Sequence, residues 1–296
     1  MPIPVAQALD EQGQAAADKA AGLRGPGRYL VSSLLAGAFV GVAAVLLLTV
    51  TGPLAAVSSP FTKLVQGLLF GVALTLVVFA GAELTTGNMM TTVQGVIARR
   101  INGANAVALV VGSFVGNLIG SVLFALLVHG SGVITAGAAP GHTAPALALL
   151  TTLLKTKAAE SGGALFFRGV LCNFLVCLGV WTAARTRSDG AKIALIFWAL
   201  LAFVGSGFEH VVANMTYYSL GMLEHVPDAT AAGFARNLLL VGLGNLVGGG
   251  LLVGAAYGFV GRGRPGRPAG SGAPAAVHVP ATENGSVLPE PAGPRG

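Results

Sequence analysis

This chain has little charge. Seventeen basic and eleven acidic side chains are spread over 296 residues, 9% of the total, against 54% hydrophobic residues. A soluble protein could bury a core of that size but could not cover it with so few polar groups. Mean hydropathy is +0.77, and several apolar runs exceed the roughly 18 residues that mark a membrane-spanning helix. The chain therefore reads as a polytopic membrane protein. Cysteine is scarcer still. Cys172 and Cys177 are the only two, five apart on one apolar segment, which excludes a disulfide framework and metal-site spacing. No nucleophile–base pair, metal-ligand cluster or nucleotide loop is present, so the sequence does not favour an enzyme and implies no cofactor. The start, MPIPVAQALDEQGQ, lacks the basic and apolar regions of a secretory signal.

What is abundant fits the same class. The 44 glycines allow membrane helices to approach closely. Residues 5–24 read as a short amphipathic or frayed helix ahead of the bilayer. Six spans follow at about 29–51, 63–100 (interrupted), 102–129, 159–184, 191–223 (interrupted) and 232–260. The expected organisation is a cytoplasmic N-terminal segment over 1–28, a transmembrane domain over 29–261 and a disordered Pro/Gly/Ala-rich tail over 262–296. The net charge of +6 raises nucleic acid as a partner, but the placement of the charges argues against it. With a cytoplasmic N-terminus, Lys19, Arg24, Arg28, Arg99, Arg100, Arg185, Arg187, Lys192, Arg262, Arg264, Arg267 and Arg295 fall inside, 12 of the 17 basic residues. The positive-inside rule accounts for the basicity, and both termini are expected in the cytoplasm of a cell-membrane protein.

Two interrupted spans carry one motif. Gly81-Ala-Glu83 leads to Asn88-Met89, and Gly207-Phe-Glu209 leads to Asn214-Met215, both reading G-x-E-x-x-x-x-N-M. The following spans repeat Gly116-Asn117-Leu-Ile-Gly120 as Gly244-Asn245-Leu-Val-Gly248. Two motifs at nearly equal separation point to an internal duplication. Each half holds three spans, so the second half enters from the opposite side, giving an inverted repeat. Spans two and five are too long for one straight crossing and have small polar centres, as broken helices do. Irregular backbone is tolerated in lipid where protein buries it or where it lines an aqueous path. The two loops are therefore expected to meet around a pore.

The polar residues suggest what passes. Two helix N-termini facing a common midplane favour a small anion. His210 is an ionisable group in a broken membrane helix, a functional candidate able to donate a hydrogen bond or a proton to an anion. Glu83 and Glu209 would repel an anion, so they read as loop braces, accepting hydrogen bonds from loop N–H groups or from Asn117 and Asn245. Asn88 and Asn214 belong to the same bracing set. Asn173 and Asn245 either donate to the ion or brace the loops. Lys155 and Lys157 either attract anions at a pore mouth or snorkel to headgroups. Arg168, some eight residues into span four, finds no role from sequence. Phe70, Leu74, Leu84 and Phe203 either form an apolar constriction that gates by dewetting or simply pack.

The segments GAELTTGNMM, LFFRGVLCNFLVCLGVW, SGFEHVVANM and GNLVGGGLLVG are similar to the signature stretches of the formate/nitrite transporter family, over about residues 29–260. The resemblance implies an aquaporin-like, all-α fold with one pore per protomer and five protomers in a ring, carrying small monovalent anions such as formate, nitrite or hydrosulfide. It places the central histidine on His210, the vestibule lysine on Lys157, the loop threonine on Thr86, the pore asparagines on Asn173 and Asn245, and the constrictions on Phe70, Leu74, Leu84 and Phe203. Thr85 stands where the formate-type pattern commonly has Phe. KTKAAESGGALFFRGVLCN and LLAFVGSGFEHVVANMT look closer to the nitrite branch, so nitrite and protons are the expected partners. Formate or hydrosulfide is the alternative cargo, and a neutral-solute pore of aquaporin type is the more distant one.

Overall fold

The computed structural model describes residues 1–262, which are helical with short connections. The tail expected over 262–296 lies outside the described residues, except Arg262. In chain order the helices are α1 (Val5–Gly22), α2 (Pro26–Ala56), α3 (Thr62–Ala80), α4 (Thr85–Ile97), α5 (Gly103–Ser131), α6 (Pro145–Ala159), α7 (Gly162–Ala184), α8 (Asp189–Gly205), α9 (Val211–Leu223), α10 (Ala231–Leu246) and α11 (Ala256–Arg262). Their starts follow from local chemistry. Asn102, Ser161, Ser188 and Thr230 each accept the N–H three residues on, and Pro26 and Pro145 sit where a missing N–H costs nothing.

Five helices are long and apolar enough to cross a membrane: Pro26–Ala56, Thr62–Ala80, Gly103–Ser131, Gly162–Ala184 and Ala231–Arg262. The fifth span read from sequence, 191–223 with an interruption, is two helices, α8 of 17 residues and α9 of 13. Each falls short of the ~20 residues that a crossing needs. The span over 63–100 divides in the same way into α3 and α4. Gly81 and Gly207 have φ near +76° and +75°, a conformation that glycine adopts without steric penalty, and each stands at the turn out of the preceding helix.

The packing follows a pattern. α2 runs along α5 as α7 runs along α10, α1 packs on α4 as α6 packs on α9, and α3 meets α8. Gly120 and Gly248 are among the glycines that permit the closest approaches. A Cβ at Gly120 would lie 2.0 Å from the Leu34 carbonyl oxygen, and one at Gly248 would lie 2.1 Å from that of Val170. α9 is buried from Val211 through Gly221, which places this half-helix in the core. On α5, Val107, Val111, Val115, Ile119 and Leu123 are exposed at four-residue spacing, an apolar stripe suited to lipid or to another subunit.

Two features differ from the sequence reading. Residues 145–159, taken as part of a connection, form α6, which carries Lys157 in its last turn. The sixth span is not a continuous α-helix, because Val247–Ala255 widens into a π-helical stretch between α10 and α11. That stretch packs against α4 and α7, and such insertions concentrate near functional sites.

Candidate functional site

The interruptions between α3 and α4 and between α8 and α9 are held by the same bonds. The Glu83 N–H donates to the Ser32 carbonyl and the Glu209 N–H to the Arg168 carbonyl, both at 3.2 Å. Asn117 accepts the Thr85 N–H at 2.9 Å and donates to the carbonyls of Ser33 and Glu83 at 2.8 and 2.9 Å. Asn245 accepts the Val211 N–H at 2.9 Å and donates to the carbonyls of Gly169 and Glu209 at 2.8 and 3.0 Å. The sequence reading gave loop N–H groups or these asparagines as donors to the glutamate carboxylates. The asparagines bond main chain instead, because an unwound segment exposes N–H and C=O groups that need partners once buried.

The carboxylates bind lysine. Glu83 takes Nζ of Lys19 at 2.7 and 2.6 Å and Nδ2 of Asn88 at 3.0 Å. Glu209 takes Nζ of Lys157 at 2.7 Å through both oxygens and Nδ2 of Asn214 at 2.7 Å. The Lys157–Glu209 pair is the drier, with side chains 11% and 6% exposed against 25% and 17% for Lys19 and Glu83. Lys157 is therefore a neutralised lysine, not a bare charge.

 

Leu84 and His210 stand at the same place, each the residue before a half-helix. Nδ1 of His210 accepts the Ala213 N–H at 3.2 Å and caps α9. That assigns the proton of the neutral ring to Nε2, which lies 3.2 Å from Oγ1 of Thr86. With Nε2–H donating to Thr86, the threonine hydroxyl keeps its own hydrogen for a ligand. The Thr86 carbonyl is fixed from behind by Nδ2 of Asn173 at 3.2 Å and Sγ of Cys177 at 3.3 Å. Asn173 also donates to the Asn245 carbonyl at 2.7 Å, so both asparagines expected to line a pathway are engaged with main chain.

Phe70, Leu74, Leu84, Phe203 and His210 surround a cavity of about 10 Å³, barely the space of one water. Phe70 meets Phe203 edge-on at 5.6 Å, and Phe203 stacks on His210 at 6.0 Å. Phe70, Phe203 and His210 also line a larger cavity of about 330 Å³, together with Lys63, Lys157, Arg168 and Glu209. The structure thus brings together a cavity with charged residues in its lining, an apolar ring and the Thr86–His210 contact.

Sequence reasoning missed Lys19 and the Glu160–Arg168 ion pair, 2.6 Å between Oε1 and Nη1. A signal for Lys19 was present, since Lys19-Ala20-Ala21 echoes Lys157-Ala158-Ala159.

A family model described as formate/nitrite transporter matches residues 5–259. The nitrite transporter NirC of Salmonella typhimurium is 42% identical over 231 residues, covering 77% of this chain and 81% of that protein. A solved FNT family ion channel superposes with a TM-score of 0.78 at 38% identity, over 86% of this chain and 98% of the other. A pentameric formate channel with formate bound superposes with a TM-score of 0.68 at 28% identity, over 80% and 98%.

Proposed function

The chain belongs to the formate/nitrite transporter family, and on that premise we propose that it carries nitrite across the cell membrane. α3 with α4, and α8 with α9, each make one broken crossing, giving six crossings in two inverted halves with both termini in the cytoplasm. The recurrence of the Asn117 bonds at Asn245, and of the Lys19–Glu83 pair at Lys157–Glu209, supports that duplication. Five copies assemble in a ring, as the name of the solved formate channel states for that protein.

The observation that carries the reading is the Thr86–His210 contact, 3.2 Å across the two half-helix starts. An anion enters the larger cavity, passes the ring of Phe70, Leu74, Leu84 and Phe203, and reaches the starts of α4 and α9. Their partial positive charge lowers the cost of negative charge away from water. The Thr86 hydroxyl donates to the anion while His210 orients it, and a proton taken up there lets the anion cross as its neutral acid. Asn173, Asn245 and Asn117 hold the loops in place, with Glu83, Glu209, Asn88 and Asn214.

Formate is the second reading, favoured by the solved formate channel's likeness. Uptake of nitrite, formate and hydrosulfide into liposomes holding the purified protein tests both. Saturable nitrite uptake that the other anions compete for is the expected result. Flux of neutral solutes without anion flux would overturn it.

A further inference from the structure

We propose that Arg168 sets anion preference in the larger cavity by reading two-oxygen anions through its guanidinium fork; this rests on the transport reading above. Arg168 lines the cavity beside Lys157, Glu209 and His210. Its Nη1 is held 2.6 Å from Oε1 of Glu160, and the Glu160 carbonyl accepts Nη2 of Arg236 at 2.6 Å. The fork is therefore anchored, yet its side chain stays 37% exposed, leaving further N–H donors for a ligand.

The twin half shows what the loop itself requires. The Ser32 carbonyl accepts the Glu83 N–H as the Arg168 carbonyl accepts the Glu209 N–H. Gly22, three residues after Lys19, stands where Glu160 stands after Lys157. The same loop therefore forms with Ser and Gly in place of the ion pair. The Glu160–Arg168 pair is an addition to one side of the molecule.

Charge and shape then separate. Lys63, Lys157 and Arg168 are three cations against the two carboxylates Glu209 and Glu160, a net of one positive charge. Lys157 is a point charge already bound to Glu209, whereas a guanidinium matches two oxygens in one plane. Arg168 discriminates by geometry, which a lysine ammonium does not supply.

The test measures half-saturating concentrations for nitrite, formate and hydrosulfide in liposomes. Arg168→Lys keeps the charge and removes the fork. The nitrite and formate values should rise about tenfold or more, the scale of one charge-assisted hydrogen bond, with hydrosulfide unchanged. The double variant Glu160→Gly with Arg168→Ser copies the twin and should assemble normally while losing the same preference. Parallel shifts for all three anions, or none in Arg168→Lys, overturn the proposal even if the double variant fails to assemble. A wild-type protein that carries none of the three overturns the transport reading as well.

Discussion

Both carboxylate oxygens of Glu209 lie 2.7 Å from Nζ of Lys157, so the lysine nearest the half-helix start of α9 is neutralised within the protein. Glu209→Gln would leave a buried ammonium without its counter-charge. A loss of about 3–5 kcal/mol is expected, read as a lower thermal midpoint in detergent. Glu83→Gln should cost less, because its pair with Lys19 is more exposed. Equal losses at the two sites would show that burial does not set the cost.

Asn245→Ala removes the partner of three main-chain groups, at Gly169, Glu209 and Val211. Asn117→Ala does the same at Ser33, Glu83 and Thr85. Each stranded group costs about 1–3 kcal/mol, so both variants should lose most of their folded yield by size-exclusion chromatography. Normal yield with altered transport alone would place these side chains in the pathway rather than in the loops.

Gly120→Ala and Gly248→Ala each drive a Cβ against a carbonyl oxygen of the neighbouring helix. Neither helix can yield without losing its packing, so assembly should fail. Gly163→Ala, where a Cβ meets nothing within 4 Å, should assemble as the wild type does. Assembly of all three would mean that the α2–α5 contact and that of the π-helical stretch with α7 are looser than these distances require.

Phe203→Ala opens the ring between the two cavities. Because the enclosed cavity holds about 10 Å³, removing the phenyl should admit water and raise flux while weakening discrimination among anions. Flux that is unchanged or lower would remove Phe203 from the constriction.

The sequence made the broken segments legible because each repeats Gly, Glu, Asn and Met at fixed spacing, and Gly and small polar residues disfavour a continuous helix. The ion pairs were not legible. Lys19 and Glu83 are 64 residues apart and Lys157 and Glu209 are 52, and pairing over such distances is decided by tertiary packing. α6 was hidden because its 15 residues follow a Gly- and Pro-containing stretch and are too short to read as a span. The π-helical stretch was hidden because Gly248, Gly249 and Gly250 carry no periodic signal.

The most direct measurement is nitrite uptake into liposomes across an external pH series, with wild-type protein and His210→Phe. The wild type should take up nitrite faster as the external pH falls, and the variant should assemble but lose that dependence. An identical pH dependence in the variant would contradict the role given to His210.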